Sequence, residues 1–215
     1  RLQTSHYRPS HNRLHDMKIL IAGSTGKTGL RLTQQIKDAG HQPIAMHRAS
    51  SDISKLPEGV ATREADLTQL TDDVCDGADV VVFAAGSGGD TSAEMTDKVD
   101  RDGAKRLIDI AAKNDIDHFV MLSSVGADDP DPESDLAHYL QAKHEADEHL
   151  KASGLSYTIV RPVTLTDEDG SRDIRLGDEV DPKGEAARGD VAAILARAAT
   201  DDTLEGKVFL MESLG

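Results

Sequence analysis

The stretch MKILIAGSTGKTG, residues 17–29, constrains this chain more than any other. An apolar run, 17–22, meets glycines at positions 23, 26 and 29, and a helix-forming segment starts inside the glycine motif. Two phosphate-binding devices share features with it. Gly26-Lys27-Thr28 is the end of a Walker A loop, but that loop needs a glycine at position 21 as well. Position 21 is Ile21, a β-branched residue inside the strand, which cannot supply a wrapped glycine conformation. The dinucleotide turn has no such gap. Its three glycines serve the tight turn, the approach of a pyrophosphate and close helix–strand packing. The anion is then expected at the helix N-terminus, where unpaired amides and the helix dipole favour negative charge. Gly23, Ser24, Thr25, Gly26, Lys27 and Thr28 are the candidate phosphate contacts.

Beyond this turn apolar strands alternate with helical patterns. Strands are expected at 17–22, 43–47, 60–64, 79–84, 117–122, 156–160 and 207–211. Helices are expected at 27–39, 67–75, 92–113, 135–153 and 189–200. The runs Val80–Phe83 and Phe119–Leu122 are continuously apolar, as strands covered on both faces should be. The alternation implies a doubly wound parallel α/β sheet in three layers, the Rossmann arrangement. Residues 164–188, rich in Asp, Gly and Glu, break the rhythm and leave room for a short hairpin or lid, a minimal C-terminal substrate lobe.

At 215 residues the chain suits a single α/β domain, expected over 17–215. Residues 1–16 carry three Arg against one Asp, leaving −17 on the rest of a chain whose net charge is −15. They have no apolar h-region of a signal peptide and read as a disordered leader or an expression artefact. His6, His11 and His15 lie in it without a periodicity that would fix a metal geometry, and no metal site is expected. The acidic charge argues against nucleic acid and anionic membranes as partners. It resembles proteins of salt-loving organisms, although an ordinary acidic surface accounts for it as well. No apolar run reaches the ~20 residues of a membrane span. The single cysteine, Cys75, excludes an internal disulfide, reads as structural and fits a reducing cytoplasm.

Cofactor type is set at the end of the second strand, ~20 residues past the turn, where NAD-binding chains place an acid on the ribose 2′-hydroxyl. Here the chain reads Ala45 to Ser51 with no carboxylate before Asp52, and Arg48 with Ser50 or Ser51 suits a 2′-phosphate. NADP(H) is therefore expected over NAD(H). Farther on, Tyr139 and Lys143 are four residues apart and share a helix face. A lysine beside a tyrosine near a nicotinamide cation lowers the phenol pKa and makes it a usable proton donor. Ser123-Ser124, at the end of a buried strand, supplies a third polar group. The acidic run Asp128 to Glu133 reads as a solvated loop. His138, His144 and His149 read as surface residues, with His138 a neighbour of Tyr139.

Together these residues resemble the short-chain dehydrogenase/reductase superfamily. The likeness is closest to its atypical NAD(P)-binding branch, related to NmrA-like and flavin/biliverdin reductase-like proteins and to NAD-dependent epimerase/dehydratases. It rests on the Gly23, Gly26, Gly29 turn, Asp66-Leu67, Ala84-Ala85-Gly86, Ser123-Ser124, Tyr139 with Lys143, and Arg161-Pro162. It implies that Asp66 and Leu67 flank the adenine and that Ala84, Ala85 and Gly86 lie along the nicotinamide ribose. It implies also that Pro162, Val163 and Thr164 close over the nicotinamide, and that Ser124, with Ser123 as alternative, is the catalytic hydroxyl. Two features depart from the pattern. Lys27 stands where the family has an uncharged residue, and the sugar-nucleotide lobe is largely missing.

The expected function is a cytoplasmic NADP(H)-dependent oxidoreductase acting on a small carbonyl, alcohol or related substrate, as a monomer or homodimer. Tyr139 would be the acid/base, Lys143 its tuner and ribose contact, and Ser124 the group that orients the substrate oxygen. A non-catalytic NADP(H) sensor, and an epimerase or dehydratase that retains its cofactor, are the alternatives.

Overall fold

The computed structural model describes residues 16–86 and 92–215; the leader, with its three histidines, lies outside the described residues apart from Asp16. The first strand, β1 (Lys18–Ala22), runs into the glycine turn, and α1 (Lys27–Asp38) follows it. The remaining parallel strands are β2 (Gln42–His47), β3 (Ala61–Glu64), β4 (Val80–Phe83), β5 (His118–Leu122), β6 (Tyr157–Pro162) and, at the C-terminus, β10 (Lys207–Ser213). With β8 (Ile174–Leu176) they form an eight-stranded sheet of order β3-β2-β1-β4-β5-β6-β10-β8, in which β8 alone is antiparallel. A separate two-stranded parallel ribbon joins β7 (Thr164–Thr166) to β9 (Glu185–Ala187). This is a Rossmann-like α/β fold.

Alternate strand residues face alternate layers, and the two cores show it. On one face Ile19, Ile21, Val80, Val82 and Val120 pack with Leu32 and Ile36 of α1 and with Val191, Leu195 and Ala198 of α5 (Arg188–Thr200). On the other, Leu20, Val81, Phe83, Phe119 and Met121 pack with Leu107 and Ile108 of α3 (Ala104–Lys113) and with Ala146 and Leu150 of α4 (Ala137–Ala152). The helix preceding α3 is irregular. It begins as α2 (Ala93–Thr96), opens into a π-helical turn over Asp97–Gly103 and returns to α-helix at Ala104. Such turns shift the side-chain register and recur at functional sites.

Two sequence expectations fail. The segment 67–75 is a series of turns, not a helix. Asp66 accepts from both the backbone N–H (2.8 Å) and the hydroxyl (2.7 Å) of Thr68, and the Thr71 hydroxyl donates to Asp73 at 2.5 Å. These local bonds compete with the helical ladder and win. The segment 164–188 is no simple hairpin either, because β8 is drawn into the main sheet as an edge strand beside β10. Cys75 is buried, which pushes its thiol up to about 12 and keeps it protonated, in keeping with a structural residue. No helix among the described residues is long and apolar enough to cross a membrane.

Candidate functional site

The strand order reverses between β1 and β4, and at such a switch point the carboxyl ends of the strands open a crevice. The glycine turn forms its floor. Gly23 has φ +83°, and a Cβ there would lie 2.6 Å from the Ala85 backbone. A side chain is excluded twice over, by conformation and by the close approach of the turn after β4. At Gly29 a Cβ would run into the Gly23 carbonyl, so this glycine lets α1 pack onto the turn. Gly26 differs: it is exposed, and a Cβ there would meet only the Gly23 oxygen, at 3.4 Å. Its open face is the one a phosphate can approach.

The N-terminus of α1 has no side-chain cap and no acid in its first turn. Unpaired amides there, facing an open glycine, fit a pyrophosphate. Thr25 is half-buried at this position, and Thr28 is buried beneath it. The Ser24 side chain is not part of the cradle, for it is fully buried and its hydroxyl donates to the Met46 carbonyl at 2.7 Å. The Lys27 side chain is 64% exposed and reaches toward the lobe. Its ammonium lies 2.5 Å from Asp167, beyond β7, and Arg188 pairs with the same carboxylate. Arg31 adds a 2.7 Å bond to Asp169. Lys27 foremost holds the Asp167 carboxyl below the usual range.

At the end of β2, Arg48 is exposed on the rim of a cavity of about 660 Å³, whose lining includes Asp66, Leu67, Met95, Lys98 and Arg106. Asp66 and Leu67 line this cavity, with the Thr68 backbone N–H, then its hydroxyl, keeping the Asp66 carboxyl below its ordinary value. Leu67 presses on the π-helical turn so closely that a Cβ on Gly103 would sit 3.0 Å from it. Asp52, the first acid after Arg48, is turned into its own loop, where it accepts from Ser54.

The polar end of the crevice is built around Lys143. This residue is 2% exposed; its ammonium lies 3.2 Å from Asp100 and 3.3 Å from the Leu122 carbonyl at the end of β5. The same ammonium is 5.6 Å from the Phe83 ring centroid at the end of β4 and 5.7 Å from that of half-buried Tyr139. Burial would lower its pKa, but Tyr139 and Asp100, with Asp147 behind them, outweigh burial and raise it. Ala84, Ala85 and Gly86 pass over this group, and a Cβ on Gly86 would lie 3.5 Å from Asp100.

The two serines part ways. Ser123 is buried and donates to Asp147 at 2.7 Å, while half-buried Ser124 remains at the crevice. Asp147 also receives Arg161 at 3.0 and 3.1 Å, and burial still raises its carboxyl above the ordinary range. Pro162 and Val163 are buried at the end of β6; the Val125 N–H donates to the Pro162 carbonyl at 3.0 Å, and exposed Thr164 opens β7. His138 pairs with Asp97 at 2.9 Å rather than with Tyr139.

Sequence reasoning missed Asp100 and Asp147. The signal was present: Asp100 falls on the buried stripe of Ala104, Leu107, Ile108 and Ala111, and Asp147 on that of Leu140, Lys143 and Leu150. An acid on an apolar stripe needs a buried partner.

The crevice therefore has an open glycine turn, a recess of about 660 Å³ beside Arg48 and a polar end. The pattern of NAD(P)H-binding domains matches residues 23–202. The chain belongs to the NAD(P)H-binding family. Within this family it is similar to an uncharacterised sugar epimerase of Bacillus subtilis, 34% identical over 201 residues that span 90% of this chain and 92% of the relative. A solved structure from Bacillus halodurans, assigned as an NAD-dependent epimerase/dehydratase, superposes with TM-score 0.85 and 36% identity over 92% of this chain and 94% of that one. The oxidoreductase ylbE from Lactococcus lactis gives 0.81 and 30%, over 92% and 91%. The NAD(P)H-binding family thus includes chains named both as oxidoreductases and as epimerases.

Proposed function

We propose that this protein is an NADP(H)-dependent oxidoreductase that reduces, or forms by oxidation, a small carbonyl compound. The observation that carries this reading is the Lys143 ammonium, fixed at the ends of β4 and β5 with the Tyr139 ring beside it. When bound, the nicotinamide supplies or accepts the hydride.

The chain's own residues divide the remaining work. The α1 N-terminus and the Gly26 backbone would hold the pyrophosphate, and Arg48 the 2′-phosphate. Asp66 and Leu67 would flank the adenine. The Ala84-Ala85-Gly86 turn and the remaining Lys143 N–H would face the ribose, Lys143 being braced by Asp100 and the Leu122 carbonyl. Tyr139 would pass its phenolic proton to the carbonyl oxygen as the hydride reaches the carbon, and Ser124 would donate a hydrogen bond to the same oxygen. Pro162, Val163 and Thr164 would keep water from the reacting face.

NADPH oxidation followed at the reduced-nicotinamide band, with a panel of aldehydes, ketones, quinones and flavins, tests the reading. Turnover that falls with Tyr139→Phe supports it; a panel with no reduced member overturns it.

The names of the relatives favour a second reading, an epimerase that keeps its cofactor. In that case the protein would copurify with tightly held dinucleotide and interconvert stereoisomers without net NADPH consumption.

A further inference from the structure

Tyr139, Lys143 and Asp147 are spaced four apart on α4, so all three project from one face of the helix, each about 6 Å along from the last. The third of them is fully buried. A single oxygen of its carboxylate, Oδ2, accepts from the Ser123 hydroxyl at 2.7 Å. The same oxygen accepts from Nη2 and Nε of Arg161 at 3.0 and 3.1 Å. These donors belong to two other elements: Ser123 directly follows β5, and Arg161 lies in β6. Their chain neighbours are the candidate site residues, Ser124 after Ser123, and Pro162, Val163 and Thr164 after Arg161.

The two strand ends are also stitched to each other. The Ser123 N–H donates to the Val160 carbonyl at 2.8 Å, and the Val125 N–H to the Pro162 carbonyl at 3.0 Å. These backbone bonds place β5 against β6. Asp147 then places both against the helix that carries Tyr139 and Lys143, next to the bond from Lys143 to the Leu122 carbonyl. The Ser124 hydroxyl makes only a 3.2 Å bond to the Val125 carbonyl, so its position is set by the backbone around it.

We infer that Asp147 is a positioning residue for the reaction: through Ser123 it sets where the Ser124 hydroxyl stands relative to the Tyr139 phenol. The inference rests on the oxidoreductase reading and adds a residue to it. In that reading two hydroxyls from different elements must meet at one carbonyl oxygen, and a misplacement of about 1 Å can cost about 10²-fold in rate. Hydrogen bonds to a carboxylate are short and strong, and three of them on one oxygen fix its direction. Stability alone does not call for such a group, since apolar packing often replaces a buried ion pair without loss.

Ser123→Ala removes the tie to the residue before Ser124 and keeps the Asp147–Arg161 pair, so the variant should fold. Turnover is measured with NADPH and each panel compound that the wild type reduces, per cofactor-binding site. The kcat should fall by about tenfold to a hundredfold, while KM and the NADPH dissociation constant stay within about twofold. Asp147→Asn should show the same split in its folded fraction. In a Ser124→Ala background, Ser123→Ala should cost little more, because no hydroxyl is left there to misplace. Equal losses in the two backgrounds, or a Ser123→Ala protein with wild-type kcat, overturns the inference. A second measurement needs no turnover. The Val125 amide, which joins the two strand ends, should exchange about tenfold faster in Ser123→Ala, with the amides of β1 and β4 unchanged. If the wild type reduces no panel compound, the oxidoreductase reading fails, and the positioning by Asp147 stands or falls on the Val125 amide.

Discussion

Lys143 and Asp100 form an ion pair of 3.2 Å in which both side chains are almost wholly buried. The pair crosses between elements, from α4 to the π-helical turn before α3, directly below the Ala84-Ala85-Gly86 turn. A lysine there without its carboxylate would be an isolated charge in an apolar layer. With it, the ammonium is a fixed fitting at the end of two central strands.

The first expectation follows from that pair. A lysine whose folded pKa is raised contributes stability that is fully present below its unfolded value of about 10.4 and is lost as pH rises through the folded one. Asp100→Asn removes one of the groups that raise that pKa and leaves Tyr139 and Asp147, so the variant's deficit should be largest where the lysine is charged and should shrink as pH rises past about 10. Thermal unfolding at pH 7, 8.5 and 10 checks this. The variant should be weakened by about 3–5 kcal/mol at pH 7, the cost of leaving one buried partner alone. Equal losses at all three pH values would contradict the assignment.

Gly26 and Gly29 separate cofactor binding from folding. Gly26→Ala fits the local backbone, at φ −76°, and should fold normally, because its Cβ meets only one atom at 3.4 Å. Its methyl would occupy the face where the pyrophosphate approaches, so NADPH affinity should drop by about tenfold or more, as loss of a charge-assisted bond would produce. Gly29→Ala places a methyl on the Gly23 carbonyl and should lose stability before any binding is measured. Melting temperature and nicotinamide fluorescence, read on both variants, test the contrast.

Arg48, exposed at the end of β2, shares its recess with Asp66. Arg48→Ala should weaken NADPH by one or two charge-assisted hydrogen bonds, each about 1.5–3 kcal/mol, and leave NADH almost unchanged. A wild-type protein that binds both forms equally would remove the basis for NADP preference.

Tyr139→Phe should reduce turnover of any accepted carbonyl by about 10²–10⁴-fold, the usual contribution of a positioned acid. Affinity for NADPH should stay within a few-fold, since the phenol oxygen is not a main cofactor anchor. Activity that survives the change would assign the proton to solvent.

The fold was legible because its signals are collective. The apolar runs at Val80–Phe83 and Phe119–Leu122 could only be covered strands, and three glycines at fixed spacing could only follow one. The segment 67–75 misled because its few apolar positions mimic a helix, whereas Asp66 and Asp73 take up local hydrogen-bond donors instead. Within the site, Tyr139 and Lys143 were visible as a pair, but the direction of the ammonium was not. The family resemblance ranks Ser124 ahead of Ser123, and the strand's alternation turns Ser123 toward Asp147 and leaves Ser124 at the crevice. In a chain with 39 acidic residues, the buried carboxylates at positions 100, 147, 190 and 212 look like all the others until their partners are known.

The bridge from Lys27 to Asp167 joins the phosphate turn to the lobe that would close over the substrate. A pyrophosphate seated at α1 would compete with Asp167 for this ammonium, and the seating of the cofactor and the resting position of the lobe would then share one free energy. Such sharing is reciprocal: whatever factor the cofactor applies to the lobe, the lobe returns to the cofactor. On such a coupling, dinucleotide and substrate would not be independent guests.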